Sequence, residues 1–163
     1  KTKNVLAKTK TECAAKLKAL RESLEEAGVP LQLLRLDGKL QLATLPQFAP
    51  AIREADALVL LCPNYNDALS ANLTAAINRL TALYRTTSFA DKAVFAIVVS
   101  GYSGGDIVAS QVAGAMGMNK GFWLPGRFCM LETANDKGEA LALPGIQDRA
   151  DRFAENMLCQ LAY

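Results

Sequence analysis

The chain has 163 residues, of which 51% are hydrophobic and 21% charged, enough apolar material for one packed domain and too much for a disordered or low-complexity polymer. It contains no histidine, which excludes Ser-His and Cys-His nucleophile pairs, His-ligated zinc and an imidazole general base. The formal net charge of +2 gives no one-sided field for nucleic acid or a membrane surface, although residues 1–26 carry seven basic groups against four acidic ones.

Residues 3–27 read as a helix, with Leu6, Cys13, Leu17, Leu20 and Leu24 broadly on one side and Gly28 and Pro30 as the stop. LQLLRL (31–36) follows as a short strand closed by the Asp37-Gly38 turn. Thr44 then caps a helix that tolerates Pro46 in its first turn and turns Phe48, Ile52 and Ala55 inward. ALVLLC (57–62) is a continuous apolar run, typical of a strand covered on both faces. Ser70 caps the next helix, whose inward residues are Leu73, Ile77, Leu80 and Tyr84. AVFAIVVS (93–100) is a second buried strand. A helix over 106–118 places Ile107, Val108, Val112 and Met116 inward, RFCML (127–131) reads as a strand, and 145–162 as a last helix facing the core with Ile146, Ala150, Phe153, Met157 and Leu161.

Alternating strands and helices in a single domain over 1–163 imply an α/β fold, a parallel sheet covered by helices on both sides. Ligands of such sheets bind outside the carboxyl ends of the strands. Two polar, turn-rich loops fall there, PNYND (63–67) and GYSGGD (101–106). The first offers the carboxamides Asn64 and Asn66 beside Pro63 and Tyr65, which suits a flat heteroaromatic ring and equally suits a polar turn. The three glycines of the second permit close backbone approach to a ligand, or simply a flexible loop. Neither is a dinucleotide fingerprint or a Walker loop. Only four strands are visible, and the strand that normally opens such a sheet is missing. Cys13, Cys62, Cys129 and Cys159 form no C-x-x-C pair; they read as reduced, structural and cytoplasmic, with Cys62, Cys129 and Cys159 as small buried hydrophobes. No apolar run is long enough to span a membrane and no signal-peptide pattern opens the chain.

ADALVLLCPNYNDALSANLTAAINRL (55–80) resembles the signature region of the NADPH-dependent FMN reductases of flavodoxin-like fold, in which an apolar run and P-x-Y-N lead into a helix. VSGYSGGDIVASQ (99–111) is similar to the Gly-rich loop of that family, and GFWLPGRFCMLETANDKGEA (121–140) more weakly resembles its final strand and acidic-glycine turn. The resemblance implies a doubly wound, three-layer α/β/α sheet of order 2-1-3-4-5. It implies that Pro63, Asn64, Tyr65 and Asn66 line the isoalloxazine edge of FMN and that Ser100, Gly101, Tyr102, Gly104 and Gly105 supply the opposite loop. The family's phosphate loop, G-S-x-R-x-x-S-x-T/N-x-x-L, matches here only at its tail, with Thr2 as the hydroxyl or amide position; omission of the first strand ahead of Lys1 is the expected reason, since deleting a central strand would leave its neighbours unpaired. Thr2 would then place phosphate at the start of the first helix.

The implied activity is hydride transfer from NADPH or NADH to FMN and onward to a quinone, flavin, azo compound or metal species, with no catalytic side chain and no bound metal. A homodimer or homotetramer is implied as well, with Trp123, Phe122 and Tyr84 as exposed interface candidates. A flavodoxin-type electron carrier and a flavin-free binding module of the same fold are the alternatives; a hydrolase lacks a nameable nucleophile and base.

Overall fold

The computed structural model describes the backbone of Val5–Thr9, Leu31–Arg35 and residues 45–162, with side chains from Ala49 onward. Continuous apolar runs make the middle of the sheet. β3 (Ala57–Pro63) and β4 (Ala93–Ser100) are parallel neighbours in the register Ala57↔Ala93 to Pro63↔Val99. Along both strands alternate residues point to opposite faces, and both faces are packed. Leu58, Leu60 and Cys62 with Val94, Ala96 and Val98 meet one helical layer, while Ala57, Val59 and Leu61 with Phe95 and Ile97 meet the other.

The first layer is supplied by α1 (Leu45–Glu54), α2 (Ala71–Arg79) and α3 (Gly105–Val112), through Ile52, Leu73, Ile77, Val108 and Val112. Ser70 caps α2, its Oγ accepting from the Leu73 N–H at 3.4 Å. α3 continues into a π-turn at Ala113–Met118 that buries Met116. The second layer is α5 (Ile146–Leu161), whose Phe153, Ala154, Met157 and Leu161 cover the sheet; Phe153 meets Phe95 edge-to-face at 6.0 Å. β5 (Cys129–Thr133) pairs with β4, its one partner among the described residues, and is joined to α5 through a short helix, α4 (Glu139–Ala142).

Two further strands complete a five-stranded sheet of order β2-β1-β3-β4-β5, the doubly wound order expected. β2 is Leu31–Arg35. β1 is Val5–Thr9, inside the segment read from sequence as the opening of a helix over 3–27. It runs parallel to both β2 (Val5↔Leu31) and β3 (Val5↔Ala57), so the central strand is present and the expectation that it is missing is corrected. The misreading has a physical source: VLAKT is five residues long, carries Lys8 near its end, and no glycine or proline separates it from Cys13 and the leucines beyond. The helical spacing of Leu6 with Cys13 and Leu17 therefore draws Val5–Thr9 into a helical reading. Thr2 lies outside the described residues, as do Cys13, the rest of the 10–30 segment and the cap at Thr44. The reason for choosing Thr2 does not survive, because a strand and not a helix begins at Val5.

Several inward expectations also change. Ile107 and Tyr84 are exposed, the latter because α2 ends at Arg79 and gives way to a 3-10 turn over Leu80–Ala82. Phe122 is buried, stacked on Phe89 with ring centroids 4.4 Å apart, and so is no interface candidate; Trp123 and Tyr84 remain exposed. Cys159 is exposed rather than a buried hydrophobe, while Cys62 is buried and Cys129 partly so.

At the amino edge of the sheet, buried Lys92 donates from Nζ to the carbonyls of Arg53 (2.8 Å) and Ala55 (2.9 Å). An ammonium here satisfies carbonyls that the end of α1 leaves unpaired and sits at the negative end of its dipole. Lys92→Met keeps the stem and deletes the donors, and is expected to lower the unfolding free energy by about 1–3 kcal/mol in denaturant titration.

Candidate functional site

The carboxyl ends of β3, β4 and β5 carry three loops that enclose a cleft of about 190 Å³. One wall is Pro63, Asn64 and Tyr65; Val99 and Gly101 form the base; Asn135, Asp136, Lys137 and Gly138, with Leu141 from α4, form the other wall. Its volume falls below the roughly 300–1,000 Å³ of sites that swallow a whole drug-sized ligand. It suits the edge of a ring system whose remainder lies outside.

The first wall is fixed by a polar network. The Asn64 backbone N–H donates to Val99 O at 2.8 Å, extending the β3–β4 pairing by one bond. Its side-chain Nδ2 faces three acceptors: Ser100 Oγ (3.0 Å), Asp67 Oδ1 (3.1 Å) and Ser103 O (3.1 Å). A carboxylate and a carbonyl can only accept, so the carboxamide has one orientation. Its Oδ1 is left buried with no partner. Asn66 and Asp67 both adopt left-handed backbone, φ 55° each, which turns the chain sharply after Tyr65. Gln111 of α3 secures the turn from below, accepting from Leu69 N–H (2.9 Å) and donating to Asp67 O (2.9 Å).

The second loop approaches closely because it has no side chains at two points. Gly104 has φ 84°, and a Cβ there would overlap the Asp67 carboxylate. A Cβ on Gly101 would come within 2.7 Å of Asn135 Oδ1, so any larger residue at the base of the cleft would have to turn the exposed Asn135 side chain aside. The N–H groups of Gly101, Tyr102 and Ser103 make no hydrogen bond among the described residues.

The third loop was not a sequence-derived candidate. Glu139 Oε2 accepts from the N–H groups of Asn135 (2.6 Å) and Asp136 (2.9 Å), which shapes the turn after β5. Those two bonds hold the Glu139 carboxyl below its ordinary range. The signal that could have found this loop was its place: TANDKG follows the last strand, at the same edge as the other two. Below it, Glu132 is braced by Arg149 of α5 through Nε–Oε1 (2.8 Å) and Nη2–Oε2 (2.9 Å), while Nη1 donates to Pro144 O (2.8 Å).

Of the sequence-derived candidates, Pro63, Asn64, Tyr65 and Gly101 line the cleft. Ser100 is buried beneath it, bonded to Asn64. Asn66, Tyr102, Gly104 and Gly105 do not line it: Asn66 and Tyr102 face solvent, Gly104 packs on Asp67, and Gly105 packs toward Ser100, Leu131 and Val98.

Cys129, at the start of β5, is no nucleophile; burial pushes its thiol from 9.0 up to about 12. A raised value in the folded chain means that the unfolded chain loses its proton first. The thiol's contribution to stability is therefore complete below pH 9.0 and lost as pH climbs to about 12. Cys129→Ala is expected to flatten that part of a stability-against-pH curve. The described residues hold no cluster of metal-ligating side chains and no helix long and apolar enough to cross a membrane.

The sequence model of the NADPH-dependent FMN reductase family matches residues 6–136, from within β1 to the third loop of the cleft. The chain belongs to that family, a class of flavin-dependent oxidoreductases. No curated protein matches the sequence. Among solved structures, the chain is similar to rubredoxin oxygen:oxidoreductase from Desulfovibrio gigas, with TM-score 0.73, 14% identity, and coverage of 99% of this chain and 36% of that one. The present chain thus spans little more than a third of that protein. It is also similar to RosB with a bound 8-demethyl-8-formylriboflavin-5'-phosphate (TM-score 0.79, 14% identity, 99% and 79% covered). A third similar structure is the NAD(P)H:quinone oxidoreductase from Methanothermobacter marburgensis (TM-score 0.67, 17% identity, 94% of each chain covered). At these identities the likeness defines the flavodoxin-like fold and no more.

Proposed function

We propose that the protein is an FMN-dependent NAD(P)H oxidoreductase that passes hydride from NADPH to FMN and on to a small acceptor of the quinone, flavin, azo or metal type. The observation that carries this reading is the cleft itself: in a chain of the FMN reductase family, the wall of Pro63, Asn64 and Tyr65 and the Gly101 base meet at the carboxyl edge of the sheet. The residues fit a flavin ring. Gly101 leaves the base of the cleft without a side chain, and its N–H, unpaired among the described residues, suits an edge that gains negative charge on reduction. FMN, when bound, supplies the hydride-accepting and hydride-donating ring. Pro63 and Tyr65 orient that ring from one side and exclude water, while the loop at 134–138 closes the other. No side chain is required as acid or base, which accords with a histidine-free sequence.

Tyr102 is 87% exposed and Tyr65 51% exposed, so both tyrosines are available to a second ring entering from solvent. A cytoplasmic setting and a homodimer or homotetramer belong to the same proposal, with exposed Trp123 and Tyr84 as contact residues. The test is FMN titration followed by NADPH consumption with a soluble quinone. Saturable binding that raises the melting temperature, with turnover, is expected; binding without turnover would favour an electron carrier, and no binding a flavin-free module.

A further inference from the structure

We propose that Asp67 is a positioning residue, a latch whose carboxylate holds the 63–67 loop against the 101–104 loop and so sets the flavin-facing wall of the cleft. This rests on the reading of the cleft as a flavin site. Asp67 is at φ 55°, immediately after Asn66 at the same angle. Glycine occupies that region without cost, whereas an aspartate there carries strain that surrounding contacts must offset. Those contacts run within the loop, to the 101–104 loop and to α3. Asp67 Oδ1 accepts from Asn64 Nδ2, which also donates to Ser100 Oγ and Ser103 O on the far loop. The carboxylate packs onto Gly104, so closely that no Cβ fits between them. Gln111 of α3 pins the backbone at Asp67 O and Leu69 N.

The consequence reaches the cleft through Asn64. Its side chain is oriented by acceptors on both loops, its backbone N–H is paired to Val99, and its own surface forms part of the wall. Without the Asp67 carboxylate, the Asn64 amide loses one of the three acceptors that fix it, and the two loops lose the packing of Asp67 on Gly104, leaving Asn64 alone to bridge them through Ser100 and Ser103. The strained aspartate therefore serves the register of the site, since the backbone itself would be better served by glycine.

The latch separates stability from binding, and three forms of the whole protein test it: wild type, Asp67→Gly and Asp67→Asn. Asp67→Gly relieves the left-handed strain, so its melting temperature without flavin is expected to equal or exceed that of wild type. Its affinity for FMN is expected to fall by about tenfold, the scale of one lost hydrogen bond to a charged group. Asp67→Asn keeps an acceptor oxygen and tolerates the same backbone angle, so it is expected to recover most of that affinity. Hydrogen exchange of the Gly101–Gly105 amides in the flavin-free protein supplies a second readout, faster in Asp67→Gly than in wild type. Unchanged FMN affinity and unchanged exchange in Asp67→Gly would overturn the latch, as would a parallel loss of melting temperature and affinity that Asp67→Asn fails to rescue. Wild-type protein that binds no FMN would instead overturn the flavin reading beneath it.

Discussion

Gly104→Ala is expected to damage both folding and flavin binding. At φ 84° an alanine carries left-handed strain, and its Cβ would fall on the Asp67 carboxylate, which is already held by Asn64. Gly104 is the N-cap of α3 and the Asp67 backbone is tied to Gln111 of the same helix, so it is the exposed Asp67 carboxylate that must swing away, breaking its bond with Asn64. The left-handed strain and the lost Asp67–Asn64 bond together cost about 1–3 kcal/mol. FMN affinity should fall by at least about tenfold, because the two loops of the cleft part. A second substitution distinguishes the causes. Adding Asp67→Gly removes the colliding carboxylate but leaves the alanine in the left-handed region, so a double-mutant cycle on denaturant stability should show positive coupling and partial recovery.

Arg149→Met is expected to produce the largest loss of stability away from the cleft. The substitution keeps the apolar stem and leaves the buried Glu132 carboxylate without its bidentate partner. A charge orphaned in this way is more costly than the intact pair is worth. For a chain of 163 residues the expected fall in melting temperature is roughly 5–10 °C. Replacing both residues by leucine should recover most of it, since no buried charge then remains. The brace lies between β5 and α5, one residue before the strand ends and the third loop begins, so Arg149→Met should also loosen the Lys137 side of the cleft. Hydrogen exchange over 134–138 would register that effect.

The parts of the fold that were legible in sequence are those where burial leaves no freedom. ALVLLC and AVFAIVVS are packed on both faces, and runs this short and continuously apolar suit a covered strand better than a helix. β1 was illegible for the opposite reason. Strand and following segment share a spacing of apolar residues, and Lys8 interrupts what a central strand usually displays. The strand is defined by the pairing of Val5 with both Leu31 and Ala57, a long-range fact that no local pattern contains. Phe122 and Cys159 teach the same lesson at single residues: one is covered by Phe89 from a distant loop, and the other lies on the outer side of α5 despite apolar neighbours.

The site divides similarly. Pro63, Asn64, Tyr65 and Gly101 were recognisable because a φ-fixed residue, carboxamides and glycines after buried strands are unusual enough to notice. The wall at 134–138 was not, since a short acidic-glycine turn has many structural uses and only its position beside the other loops makes it part of a cleft. Asp67 was visible as a loop residue, but its contact with Gly104 depends on two strands lying side by side in register.

The most direct test of the account is anaerobic titration of the purified protein with FMN, followed by NADPH, read by the visible absorbance of the flavin. One FMN should bind per chain, raise the melting temperature, and lose its yellow band on addition of NADPH. Absence of FMN binding, with a melting temperature unmoved by excess flavin, would contradict it.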